Sequence, residues 1–178
     1  FIRLPRIVLG VAVGMGLATV GVVMQAVVQN PLADPYILGI SSGASLGAPA
    51  AILLGIGAFG SNSVGACAFL GALGVSFAVI WISHLGGRAT SVKLVLAGVA
   101  LSSVCSAVSN FIVYVADDPG RFMTVTFWLM GSLAGAEWES NGVIFLVVLL
   151  ALAFFLTQSR TLNLMLLGDD TAITLGTN

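Results

Sequence analysis

Charge is what this 178-residue chain has least of. Six Lys or Arg, seven Asp or Glu and one histidine leave it only 7% charged, against roughly a quarter in a soluble globular domain, which excludes that class. Cysteine is nearly absent. Cys67 and Cys105 both stand in apolar runs with no C-x-x-C pair, so they read as small buried hydrophobes rather than a disulfide or metal framework, and no cofactor is expected. No basic run offers a nucleic-acid surface, and a net charge of −1 favours no particular partner. A P-loop is missing as well. Without G-x-x-x-x-G-K-[ST] the chain cannot hold ATP in the usual phosphate cradle, so energy from ATP would have to enter through another subunit.

Catalytic constellations are equally thin. The best is Gly39-Ile40-Ser41-Ser42-Gly43 with His84, a G-x-S-x-G pattern beside the lone histidine, but no strand precedes the serine and a helix ridge of glycines explains the same residues. Asp169-Asp170 has neither further acids nor a histidine to complete a metal site. No catalytic and no metal-binding residue is assigned, and the chain is read as a non-enzyme.

What is present is apolar: 58% of residues are hydrophobic and the mean hydropathy is +1.12. Charges are missing between Arg6 and Asp34, Asp34 and Arg88, Lys93 and Asp117, and Glu139 and Arg160. Each gap holds a membrane helix of about 20 residues and the second holds two, and a cost of about 2.5–3.5 kcal/mol per central charge confines the ionisable groups to the helix ends. The spans are expected at about 7–28, 36–56, 64–85, 92–116 and 142–157, all in one transmembrane domain over 1–178. Residues 122–134 are apolar but too short to cross and read as a half-membrane helix after the Asp117–Arg121 turn, with Trp128 and Trp138, Glu137 and Glu139 marking the interface. The chain begins at Phe1 rather than Met and reads as a fragment or processed chain.

Several local features stand out along these spans. Pro31 and Pro35 must stop the first helix near Asn30 and reverse the chain. Gly39, Gly43, Gly47, Ala51 and Gly55 then recur every fourth residue, a ridge without bulk that lets another helix approach closely in lipid; Gly10, Gly14 and Ala18 form a shorter one. Thr90 or Ser91 can cap the fourth span, which carries Gly98, Ser102, Ser106 and Asn110 on one i, i+4 line with Ser103 and Ser109 beside it. Such a polar stripe either lines a pathway or bonds helices together. Asp169-Asp170-Thr171 can open a short helix over 169–176 at a membrane face. Counted by alternation, the Lys and Arg residues tie across the two sides, so charge alone sets no orientation.

Arg3-Leu4-Pro5-Arg6, Asn30-Pro31-Leu32-Ala33-Asp34-Pro35, Leu38-Gly39-Ile40-Ser41-Ser42-Gly43-Ala44, Val95–Leu101, Trp128–Ser132 and Gly168–Gly176 together resemble the FecCD-type permease subunits of bacterial ABC importers for iron-siderophores, haem and cobalamin. The resemblance implies an all-α polytopic bundle, here five spans, a half-helix and a coupling helix out of a ten-span permease in the bacterial cytoplasmic (inner) membrane. It implies a second permease copy, an ABC ATPase and a substrate-binding protein as partners. It further implies a translocation path along Gly98, Ser102, Ser106, Ser109 and Asn110, and a cytoplasmic gate at Asn30, Leu32, Thr90 and Ser91. ATPase coupling would fall at Gly168, Asp169, Asp170, Ala172, Leu175 and Gly176, and docking of the binding protein at Arg3 and Arg6. An ion-coupled transporter or channel is the alternative, although such proteins tend to carry ionisable groups within their spans; an intramembrane serine hydrolase is the weaker one.

Overall fold

A computed structural model describes residues 3–56, 63–87, 89–115, 119–168 and 174–175. The described residues form helices joined by turns: α1 (Arg3–Val28), α2 (Ile40–Leu54), α3 (Ser63–His84), α4 (Ser91–Val115), α5 (Pro119–Met130), α6 (Trp138–Thr157) and α7 (Ser159–Met165). α1, α3, α4 and α6 are long and apolar enough to cross a membrane, and at most 22% of any of these apolar stretches is buried. Water cannot cover so much apolar surface, so these helices face lipid or other membrane helices.

Helix ends follow from backbone chemistry. α1 tolerates Pro5 in its first turn, where no intrahelical N–H is needed. It closes with Gln29 at φ 54°, the Gln29 N–H bonding Ala26 O at 3.3 Å and the Asn30 N–H bonding Gln25 O at 3.1 Å, the paired bonds of a Schellman end. α2 differs from the span expected over 36–56. Residues 36–39 form a turn closed by Gly39 N–H to Tyr36 O at 2.9 Å, and left-handed glycines at both ends, Gly39 (φ 72°) and Gly55 (φ 63°), confine the helix to 15 residues. Its length of about 22 Å is short of a bilayer core of about 30 Å. α5 begins at Pro119 and stops before Gly131 (φ 76°), three residues earlier at its start and four earlier at its end than the expected 122–134. α6 begins at Trp138 rather than 142, and a separate α7 follows Gln158, beyond the expected end at 157.

Contacts group the chain into two units. The first comprises the described residues of Phe1–Pro35 and Ser132–Asn178. Here Asn141 Nδ2 donates to Pro5 O at 2.7 Å, and a Cβ on Gly16 would lie 3.4 Å from Val148 Cγ2. Pairing advances in the same direction along both helices, so α1 and α6 run parallel. The Oδ1 of buried Asn141 has no hydrogen-bond partner among the described residues. Gly14, expected on a packed ridge, meets nothing within 4 Å, while Gly10 approaches Leu133 at 3.7 Å. An apolar cavity of about 310 Å³ lies between α1, α6 and α7, lined by Ala18, Val22, Leu152, Phe155 and Leu162 among others.

The second unit, Tyr36–Gly131, holds α2 to α5. Gly43 faces Gly71, and Gly47 faces Cys67, so α2 and α3 are antiparallel. The contact is backbone on backbone: a Cβ on Gly43 would sit 2.5 Å from Gly71 O and 2.9 Å from Ala72 Cα, and one on Gly47 would strike Cys67 O. The expected glycine ridge is therefore packed at these positions, where small residues allow dispersion contact in a medium without a hydrophobic drive between helices. Val75, Val79, Ala97 and Cys105 form the buried core, with Leu38, Leu46, Leu94 and Leu101 against it.

Candidate translocation site

The polar residues of α4 divide into two groups. Gly98, Ser102, Cys105 and Ser109 follow a 4-3-4 spacing, and their side meets α2. A Cβ on Gly98 would strike Ile37 O, Ser102 Oγ lies 3.1 Å from Ser42 Oγ, and Ser109 Oγ donates to Ser45 O at 2.6 Å. These pairs ascend together, so α4 runs parallel to α2 and antiparallel to α3. Ser106 and Asn110, one residue further round the helix, are exposed. Ser103 is also exposed and bonds back to Val99 O at 2.9 Å. Bonding between helices and an open polar flank thus fall on different residues of a single stripe.

The expected gate residues are held by local turns. Asn30 Oδ1 accepts the Leu32 N–H at 2.9 Å, Gln25 Nε2 donates to Pro31 O at 2.9 Å, and Leu32 is 88% exposed at the apex. Thr90 Oγ1 accepts the Lys93 N–H at 3.3 Å and so caps α4, leaving Ser91 half-buried as its first residue. These pairs belong to different units, Asn30 and Leu32 to the first and Thr90 and Ser91 to the second.

Arg3 and Arg6 are exposed at the start of α1, with an Arg6 guanidinium nitrogen donating to Ala134 O at 3.1 Å. Gly168 (φ 96°) ends the segment after α7, its N–H bonding Met165 O at 3.1 Å, and Leu175 is 53% exposed. Asp169, Asp170, Ala172 and Gly176 lie outside the described residues, as does most of the helix expected over 169–176. In the serine-hydrolase alternative Ser41 would be the nucleophile, but His84 Nδ1 is bonded to Ile80 O of its own helix at 2.8 Å and no hydrogen bond joins it to a serine among the described residues. Ser42 is likewise engaged, 2.9 Å from Gly39 O.

Two partners in this site were not read from the sequence as contacts of α4, Ser42 and the carbonyl of Ser45. Both lie on α2, about 60 residues from the serines they meet. Pro49, inside an otherwise unbroken apolar run, was the available signal, since a proline there frees a carbonyl one turn earlier.

The sequence of the chain matches the model of the FecCD transport family over residues 1–178. The chain belongs to the FecCD transport family. A FecCD relative, the cobalamin import system permease protein BtuC of Halobacterium salinarum, is 41% identical over 176 residues, covering 98% of this chain and 46% of that protein. The hemin transport system permease protein HmuU of Yersinia pestis is 40% identical over 182 residues, covering 99% of this chain and 53% of that protein. A solved structure described as an inward-facing conformation of a metal-chelate type ABC transporter superposes with a TM-score of 0.89 at 34% identity, covering 99% of this chain and 55% of its own. The chain spans about half the length of the relatives it matches. As a FecCD protein with four apolar helices of spanning length, it is a multi-pass membrane protein whose named relatives are transport permeases.

Proposed function

We propose that this chain is part of the membrane-spanning permease of an ATP-driven importer, carrying iron-siderophore, haem or cobalamin-type chelates through the cytoplasmic (inner) membrane by alternating access. The family match along all 178 residues carries the reading. Helix direction supports it. Parallel α1 and α6 require the chain to return to its starting side between them. The alternating α2, α3 and α4 supply three crossings, with the turn before α2 adding to its 15 residues, and the 12-residue α5 enters the membrane without crossing.

In this reading α4 lines the path. Ser106 and Asn110 present its open polar flank, while Gly98, Ser102 and Ser109 set that flank by holding α4 against α2. Asn30, Leu32, Thr90 and Ser91 border the cytoplasmic opening. Gly168 to Gly176, with Asp169, Asp170, Ala172 and Leu175, form the element that receives force from a separate ABC ATPase, and Arg3 and Arg6 dock carboxylates of a substrate-binding protein on the opposite side. A second permease copy closes the path.

The test is aqueous access in the full-length permease assembled with its ATPase, in a background carrying Cys67→Ala and Cys105→Ala. Ser106→Cys or Asn110→Cys should react with a membrane-impermeant thiol reagent, and modification should block import. Val147→Cys, on the exposed apolar face of α6, should stay unreactive. Inert thiols at 106 and 110 with import unchanged would remove α4 from the path.

A further inference from the structure

Pro49 stands inside α2 and its side chain is among the most completely buried in the chain. Lacking an N–H, it cannot bond the carbonyl of Ser45 one turn earlier, and its ring crowds that oxygen away from the helix axis. An unpaired carbonyl at such a position is costly, because neither water nor lipid can satisfy it. Ser109 Oγ, on α4 and 5% exposed, donates to this same oxygen at 2.6 Å.

Helix serines and threonines usually turn back to a carbonyl of their own helix. Thr19 does so to Met15 O, Ser76 to Ala72 O and Ser103 to Val99 O. Ser109 could have used Cys105 O in the same way, yet it reaches across to α2. We propose that Ser109 replaces the N–H missing at Pro49, so that the break in α2 and the seating of α4 form a single unit. α4 cannot slide or turn past Ser45 without leaving that carbonyl without the Ser109 donor. Ser102 against Ser42 and Gly98 against Ile37 hold the same register toward the N-terminal ends of both helices, but the bond from Ser109 is the one that closes a backbone deficit. Ser109 is on this account a positioning residue for α4 and not a contact for the transported molecule.

The test is a double-mutant cycle on the full-length permease, read as equilibrium unfolding in mixed micelles. Ser109→Ala should lower the folded-to-unfolded ratio about tenfold while Pro49 is present, near the upper end for hydrogen bonds between membrane helices because Pro49 offers this carbonyl no N–H. In a Pro49→Ala background the restored backbone N–H bonds Ser45 O, and the same substitution should change the ratio less than about threefold. Equal losses in the two backgrounds would overturn the proposal. If Ser109→Ala alone prevents folding, recovery in the double variant supports it and continued failure overturns it. The readout is folding rather than import, so the result does not depend on the transport reading.

Discussion

Replacing Gly43 by alanine should destabilise the protein, although the same change in most helices does the reverse. Glycine costs a helix interior about 1 kcal/mol relative to alanine, so propensity alone favours Gly43→Ala. The new Cβ, however, would lie 2.5 Å from Gly71 O and 2.9 Å from Ala72 Cα, where ordinary contact begins at 3.4 Å. Both atoms are backbone and cannot swing aside, so α2 and α3 must part by several tenths of an ångström or more. A gap of that size forfeits roughly a quarter to a half of the dispersion energy at each neighbouring contact. With overpacking costs of about 1–3 kcal/mol, at the upper part of that range for a clash with backbone, the propensity gain is outweighed and a net loss of up to about 2 kcal/mol is expected. Gly74→Ala, on α3 with nothing within 4 Å of its would-be Cβ, is the matched control and should stabilise by up to about 1 kcal/mol. The assay is equilibrium unfolding of the full-length protein in micelles across a series of SDS mole fractions. Opposite signs for the two substitutions support close backbone packing of α2 on α3. Stabilisation by Gly43→Ala equal to that by Gly74→Ala would refute it.

Thr90→Ala removes the side-chain cap of α4 and should cost about 1 kcal/mol, with faster amide exchange confined to the first turn of that helix; Thr90→Ser should restore both. Asn141→Leu gives up a 2.7 Å bond to Pro5 O but also removes the buried, unpartnered Oδ1, so its net effect should stay within about 1 kcal/mol by chemical unfolding. A loss well above that would mean that Asn141 Oδ1 has a partner in the full-length protein.

Much of the architecture was legible in the residues themselves. Charge-free gaps located α1, α3 and α4 within a few residues of their observed limits, because insertion cost and helix capping depend on composition and near neighbours. The short extent of α2 was less visible. Glycine at 39 permits a left-handed residue without requiring one, and the crowded placement of Gly39 against Val75 and Ser102 is made by α3 and α4. The early stop of α5 had a local signal in Gly131, whereas the break between α6 and α7 at Gln158 falls in a stretch without glycine or proline.

The α4 stripe shows the division most clearly. From the sequence, Gly98, Ser102, Ser106 and Asn110 share an i, i+4 line. Four residues turn a helix of 3.6 residues per turn by about 40° beyond a full circle, so such a line winds away from any straight neighbour, while a 4-3-4 spacing stays on it. Gly98, Ser102, Cys105 and Ser109 therefore meet α2, and Ser106 and Asn110 do not. Composition and local pattern by themselves determined a polytopic helical membrane protein, its main helices and its motif-bearing turns, because those follow from hydrophobicity and backbone chemistry along the chain. Only the tertiary structure decided which hydroxyls join helices and which stay open, because Ser109 and the carbonyl freed by Pro49 lie 64 residues apart in sequence and meet through packing alone.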